Sequence, residues 1–169
     1  MSHAALRIAL AEAFQNGFKT GAPAAAPFPV RYPNRPFKEP RGAVWGSFSI
    51  QLASTEFSAL GKNEERTMGV LYLQVFCPEE SGTKAAYEAR DIVAAALMGQ
   101  TISAGSNGAV EFWETSLREV GLDPAGLYQV NVMTDFRFET IGQNVIPGQF
   151  VDSESGAVLV DSETGLPLS

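Results

Sequence analysis

The sequence predicts an α+β domain in which one mostly antiparallel mixed sheet, of about four to five strands, is covered by two helices. Helical and extended apolar spacings follow one another in the order helix, strands, helix, strands. With 169 residues, 45% of them hydrophobic, the chain is large enough to bury one core. We therefore predict one domain over residues 1–144, and an extension of β-turn or hairpin type over residues 145–169.

The first helix is predicted to begin after Ser2, which can cap it, and to end at Gly17. Between these positions, apolar residues recur at three- and four-residue spacing: Leu6, Leu10, Ala13 and Phe14. Residues 21–27, rich in Gly, Ala and Pro, form a predicted connector. A short strand at 30–32 is expected to stop before Pro33, because proline lacks the N–H that strand pairing needs.

Two adjacent strands are predicted at residues 43–52 and 67–77. In the first, Trp45 lies on the side opposite Val44, Gly46, Phe48 and Ile50. The second is apolar on both sides, which is typical of a strand in the middle of a covered sheet. The polar stretch 53–66 between them is longer than most hairpin loops and is predicted to be a loop.

The second helix is predicted to follow Pro78, with Glu79 and Glu80 near its positively polarised start and Gly99 at its end. Its apolar stripe consists of Ala85, Ala89, Ile92, Val93, Ala96 and Leu97. Further strands are predicted at 109–115 and 127–139, separated by a turn at 121–124. The last strand alternates cleanly between apolar and polar residues, so one of its faces should be buried.

Composition argues against several functional classes. A formal charge of −7 and a pI near 4.7 disfavour binding to a phosphate backbone. No apolar run approaches the ~20 residues of a membrane span, so no membrane partner is expected. Lys and Arg are absent before Arg7, and Glu12 interrupts the first apolar stretch, so no signal peptide is visible. We expect a cytosolic product.

Residues that could carry catalysis are sparse. Cys77 lies within a strand pattern and is expected to be a small core residue, while His3 lies near a chain end. No Cys/His spacing is typical of zinc, and the glycine-rich residues 105–108 lack the lysine of a phosphate loop. Glu64 and Glu65 are neighbours that would point in different directions on a strand, so they are a poor candidate for a paired-carboxylate acid/base site. We expect no cofactor; a carboxylate-dependent enzyme is kept as an alternative.

The stretch PFPVRYPNRPF, residues 27–37, places four prolines among aromatic and cationic side chains. Proline fixes its own φ and drives the preceding residue toward extended geometry, so this stretch should be neither helix nor central strand. Two interpretations are open. It is either an ordered loop packed on its own domain or a stiff surface that contacts another molecule.

Over residues 6–141 the chain resembles the tail terminator-like proteins of long-tailed bacteriophages, the lambda-like group of siphophages. Four stretches carry the resemblance through their order and spacing: PVRYPNRPF, AVWGSFSIQL, GVLYLQVFCPEESGTKAAYEARDIVAAAL, and EVG followed by YQVNVMTDFRF. The resemblance implies a mixed α/β fold and a structural rather than an enzymatic role. Residues after 144 lie outside it.

The resemblance further implies a minor tail protein that forms a hexameric ring. Such a ring binds the last layer of the tube built by the major tail protein, ends tail elongation and offers a surface to the head-completion proteins. The protein would be assembled in the host cytoplasm and located at the head-proximal end of the tail, and DNA would pass through its channel without specific binding. The alternative from the same virion is another head–tail joining or tail-tube protein.

Three groups of site residues follow from this interpretation. The predicted subunit interface consists of Arg31, Tyr32, Asn34, Arg35 and Phe37, because aromatic and arginine residues are enriched at interfaces. The predicted tube-docking loop contributes Glu56, Phe57, Leu60, Lys62, Glu64 and Glu65. Of these, Glu56, Glu64 and Glu65 either line an acidic channel that repels phosphate or belong to an ordinary solvated surface.

The third group lies in a nine-residue repeat, VDSESGAVL (151–159) followed by VDSETGLPL (160–168). Each copy contains a turn signal, while the acidic spacing lacks the full ligand series of a calcium loop. Two interpretations are kept. The extension is either a disordered acidic segment or an assembly arm that packs on a neighbouring subunit or joining partner through Val151, Val158, Leu159, Val160, Leu166 and Leu168.

Overall fold

Six strands form one sheet in the computed structural model, which describes residues 3–20, 28–57, 65–105 and 108–140. The elements in chain order are α1 (His3–Thr20), β1 (Val30–Arg31), β2 (Trp45–Phe57), β3 (Glu65–Pro78), α2 (Lys84–Leu97), β4 (Thr101–Ser103), β5 (Gly108–Leu122) and β6 (Leu127–Thr140). The strand order is β1-β2-β3-β6-β5-β4, with only β1–β2 parallel among these pairs. The predicted α+β class is confirmed, with six strands rather than four to five.

The strands β2 and β3 are longer than predicted and form a hairpin. Pairs such as Thr55 with Thr67 and Glu56 with Arg66 continue the register up to Phe57 opposite Glu65. The prediction of a loop over 53–66 is therefore wrong for residues 53–57 and 65–66. These residues carry mostly polar side chains, which hid the strand pattern. Only residues 58–64 of that stretch lie outside the described residues.

One face of the sheet carries the core, against which both helices pack. Its buried residues come from every long strand and from both helices, and include Leu6, Phe14, Phe48, Leu73, Val93, Val110, Phe112, Val132 and Phe136. Phe14 of α1 stacks on Phe48 of β2, with ring centroids 4.4 Å apart. Cys77 is buried as predicted, and burial raises the pKa of its thiol. It is therefore a core residue rather than an exposed nucleophile.

The prediction that Gly17 ends the first helix is wrong, because α1 continues to Thr20. Gly17 lies instead where α1 meets α2. A Cβ added to Gly17 would stand 2.4 Å from the Cβ of Ala96, a distance that atoms in contact do not reach. The missing side chain therefore allows the two helices to approach closely. Phe18, one residue further, continues the buried face of α1.

The start of α2 differs from the sequence prediction and its end agrees with it. The helix begins at Lys84 after Thr83, so Glu79 and Glu80 lie in the connection from β3 rather than in the first turn. Glu80 has a φ of 71°, which is uncommon for a residue other than glycine. At the other end Leu97 is the last helical residue, and Gly99 follows with a φ of 74°.

The second face of the sheet carries a row of alternating charges across β3, β6 and β5. Arg66 lies 2.7 Å from Glu139, and Arg137 lies 2.7 Å from Glu111 and 3.4 Å from Glu139. The Arg137 guanidinium also lies 5.4 Å from the ring centre of Trp113. Because opposite charges sit on neighbouring strands, this row favours the observed register.

We expect Gly17→Ala to destabilise the domain, although alanine is the better helix former by about 1 kcal/mol. The added methyl group would overpack the contact with Ala96, and overpacking costs about 1–3 kcal/mol. Urea unfolding measures the change in the free energy of unfolding. The matched control is the double variant Gly17→Ala, Ala96→Gly, which moves the glycine to the other helix and should recover stability. A single variant as stable as the parent would contradict the close helix contact.

Candidate subunit interface

The proline-rich segment passes from one face of the sheet to the other around the edge formed by β1 and β2. On the core face, the Tyr32 ring lies 5.7 Å from that of Phe48 and 6.4 Å from that of Phe14. On the other face, the Phe37 ring lies 5.6 Å from the Trp45 ring, which stacks on Phe76 of β3. The segment is thus held at two points on its own domain, as the first of the two sequence interpretations has it.

A tight turn sets the position of Arg35. The backbone N–H of Arg35 donates to the carbonyl oxygen of Tyr32 at 3.3 Å. Pro33 is the second residue of this turn and Asn34 the third, with a φ of 56°, a pattern that a type II turn accepts. The Arg35 guanidinium lies 5.8 Å from the centre of the Tyr32 ring. Burial raises the pKa of the Tyr32 phenol, and the charge of Arg35 opposes this rise.

Arg31 is exposed and only loosely held. Its guanidinium lies 5.9 Å from the centre of the Trp45 ring and 3.5 Å from Glu39. An exposed ion pair at this distance contributes little to stability. Asn34 and Arg35 are exposed as well, whereas Tyr32 and Phe37 are half-buried. The predicted interface residues therefore form a ridge with two half-buried anchors and an exposed polar top.

A groove of about 170 Å³ lies between this ridge and α1. We call it the basic groove and define it by Arg7, Ile8, Tyr32, Arg35 and Ile50, which are among its lining residues. Ile8 is 59% exposed and adds apolar surface to the edge of the groove. Sequence reasoning missed Arg7, Ile8 and Ile50 as site residues. Ile8 could have been found, because it falls outside the buried stripe of α1.

The charges of the chain are distributed unevenly along the sequence. Residues 1–52 contain six Lys and Arg and two Glu, a formal charge of +4, whereas residues 53–169 contain six Lys and Arg and seventeen Asp and Glu, a charge of −11; the sum is −7. Four of the cations, Arg31, Arg35, Lys38 and Arg41, lie within eleven residues that contain one Glu. The basic groove is thus a cationic region of an acidic protein.

The other predicted site residues lie elsewhere or outside the described residues. Glu56 is exposed and lies near the end of β2, whereas Trp45 begins that strand. At the rise of an extended strand, the two residues are roughly 35 Å apart. Phe57 ends β2 and Glu65 begins β3. Leu60, Lys62, Glu64 and all six residues of the predicted C-terminal arm lie outside the described residues. The docking residues that the structure describes therefore lie apart from the predicted interface.

Within the described ranges, no group of three or more His, Cys, Asp or Glu side chains could hold a metal ion. None of the helices found there is long and apolar enough to cross a membrane. Among the described surfaces, the basic groove combines the charges of Arg7 and Arg35 with the exposed side chain of Ile8.

Comparison with known proteins identifies the family. A family model described as phage tail terminator protein matches residues 4–136. One solved structure, whose title carries no functional description, aligns with a TM-score of 0.63 at 20% identity, covering 85% of this chain and 99% of that chain. Another, titled virion of native gene transfer agent (GTA) particle, aligns with a TM-score of 0.47 at 18% identity, covering 81% and 96%. No curated protein matches the sequence.

These findings differ in what they show. At 20% identity the first structural likeness supports the fold alone. The family model confirms the resemblance inferred from the sequence and covers the basic groove together with most of the sheet. Because that match extends over well more than half of the chain, this protein belongs to the phage tail terminator family and is a structural protein of the virion tail.

Proposed function

We propose that this protein forms a ring that caps the tail tube, ends tail elongation and provides the attachment surface for the head-completion proteins. The family match over residues 4–136 is the observation that carries the proposal. The remaining support comes from the surfaces of the domain. A ring that ends a tube needs one contact between its subunits, one with the tube and one with the head.

The basic groove and the adjoining ridge are proposed as part of the subunit contact, in a ring that we take to be hexameric. Identical subunits close a ring through two different surfaces that meet at a fixed angle. A segment with Pro33 and Pro36, anchored through Tyr32 and Phe37, is stiff enough to hold such an angle. Its exposed Arg35 adds the kind of charged group that is enriched at interfaces.

The far end of the β2–β3 hairpin is proposed to dock on the major tail protein of the tube. The described part of this hairpin runs to Phe57 and Glu65, and Ser54, Thr55 and Glu56 are exposed. The residues that join the two strands include Leu60, Lys62 and Glu64, which combine apolar and charged groups. We further propose that carboxylates here, Glu56 among them, face the DNA channel, where negative charge would prevent arrest of the passing phosphates.

Tails made in the absence of this protein test the terminating role. If the ring ends elongation, electron microscopy of lysates that lack the protein should show overlong tails without heads, and supplying the parent protein should restore a uniform length. Tails of normal length that only lack heads would indicate a head-joining protein instead. Tails of normal length with heads attached would contradict the proposal altogether.

Substitution of the ridge tests its place in the ring. We expect Arg35→Ala and Phe37→Ala together to reduce the mass of the purified assembly in light scattering, because they remove the exposed charge and one anchor of the segment. Lys19→Ala is the control, since Lys19 is an exposed cation in the last turn of α1 that does not line the basic groove. Circular dichroism confirms that each variant is folded. An unchanged oligomeric mass would remove the ridge from the interface.

Truncation after Phe150 tests the proposed assembly arm. Every core residue in the described part of the chain lies before the end of β6 at Thr140, so the shortened chain should fold with parent-like stability. We expect it to assemble more weakly, because six apolar side chains of the repeat are lost. Sedimentation gives the assembly strength, and addition to a lysate lacking the protein gives the activity. Full tail termination and head joining by the truncated protein would show that the repeat is dispensable.

A further inference from the structure

We propose that the surface receiving the basic groove of a neighbouring copy is a second, oppositely charged groove at one end of the sheet. We call this groove, lined by Glu79, Glu80, Leu122 and Tyr128, and the adjoining pair Tyr87 and Glu119 the acidic end. The proposal rests on the ring described above and names the missing half of its subunit contact. Its occupant is a second copy of this chain.

Strand register brings the acidic end together from distant parts of the sequence. Pro78, the last residue of β3, pairs with Leu127 of β6, and Leu122 of β5 pairs with Tyr128. The β3–α2 connection and the β5–β6 turn therefore lie side by side. Between them is a groove of about 370 Å³, lined by Pro78, Glu79, Glu80, Leu122 and Tyr128 together with Gly82 and Thr83.

Hydrogen bonds hold the carboxylate of Glu119 in a fixed position at this end. Its Oε1 accepts from the Tyr87 hydroxyl at 3.0 Å, and its Oε2 accepts from the Tyr128 hydroxyl at 2.8 Å. These hydrogen bonds, together with the charge of Glu119, raise the pKa of both phenols. The negative charge of Glu119 is thus presented on a preorganised frame that joins α2, β5 and β6.

Large apolar groups stand exposed beside these carboxylates. Leu122 is 59% and Val120 is 56% exposed. The turn that follows is braced, because Asp123 Oδ1 accepts from the backbone N–H groups of Ala125 at 2.9 Å and Leu127 at 2.8 Å. Exposed aliphatic side chains on a rigid support, rimmed by charge, are typical of a contact surface rather than of a solvated loop.

The chemistry of the acidic end complements that of the basic groove. Glu79, Glu80 and Glu119 would face Arg7 and Arg35, and the exposed Leu122 would meet the exposed Ile8. The two surfaces belong to different elements: α1, β2 and the ridge build one, and α2, the β3–α2 connection and the β5–β6 turn build the other. A contact between unlike surfaces of identical chains propagates head to tail, as a closed ring requires. Complementary charge would also select the correct pairing.

Cross-linking between two variants that each carry one added cysteine tests whether these surfaces meet. One variant carries Ile8→Cys in the basic groove and the other carries Val120→Cys beside the acidic end. Both positions are exposed, and the native Cys77 is 1% exposed and protected from the reagent. A bismaleimide added to the mixed proteins, with and without isolated tail tubes, should give a covalent dimer that contains one chain of each kind. Each variant alone should give none.

The results separate this inference from the proposed ring. If native mass spectrometry shows a ring but the mixture yields no mixed dimer, the acidic end is not the receiving surface and the ring proposal stands. If no ring forms with or without tubes, both fail. A cross-link from the Val120→Cys variant to a tube or head protein would identify that protein as the occupant instead.

Reversal of charge gives a second, independent measurement. We expect Glu79→Lys with Glu80→Lys to weaken assembly by about tenfold in sedimentation, because like charges would then face each other. Adding Arg7→Glu with Arg35→Glu in the same chain should recover most of the loss. Glu114→Lys is the control, because Glu114 is an exposed carboxylate of β5 that lies outside the acidic end. If the variant with only Glu79→Lys and Glu80→Lys assembles as well as the parent, the inference is overturned.

Discussion

The stack of Phe14 on Phe48 is the contact on which both the core and the candidate interface depend. It fixes α1 against the core face of β2 at a ring distance of 4.4 Å. Tyr32 packs against the same two rings, so the start of the ridge takes its position from them. The Arg35 guanidinium in turn lies over Tyr32. The core rings thus position Tyr32, and Tyr32 positions the exposed Arg35. This gives the basic groove a rigid base.

The second organising feature is the separation of charge. A protein with a formal charge of −7 keeps a cationic surface around α1 and the ridge, while its carboxylates dominate the rest of the sequence. The net charge disfavours a phosphate-binding role but conceals this local excess. Separated charges of opposite sign favour association of unlike surfaces and oppose association of like ones. In a head-to-tail ring the same distribution would serve every subunit contact.

Sequence patterns predicted the elements whose spacing and ends both carry strong signals. The strands β3 and β6 and the helix α2 follow from their apolar repeats, with Pro78 and Gly99 at the expected boundaries. The outer part of the β2–β3 hairpin could not be predicted from the sequence, because its mostly polar side chains lack the apolar–polar alternation that marks a strand. The strand β4 is three residues long and gives no pattern.

The error at Gly17 and the incomplete prediction of the candidate site have a common physical cause. A glycine within a helical pattern resembles a stop signal, and only the packing of α2 reveals that Gly17 makes room for Ala96. The ridge was visible from its composition because its residues are contiguous. The basic groove and the acidic end were not, since helix packing and strand register assemble them from separate elements. Sequence reasoning thus singled out residues on one side of the proposed contact, and the proposal for the other side depends on the fold.

Cryo-electron microscopy of the protein bound to the end of a tail tube tests the central claim most directly. The account predicts a closed ring in which Arg35 of each subunit lies within ion-pair distance of Glu79, Glu80 or Glu119 of the next, with Ile8 and Leu122 buried between them. A ring in which the basic groove and the acidic end both face solvent would contradict it.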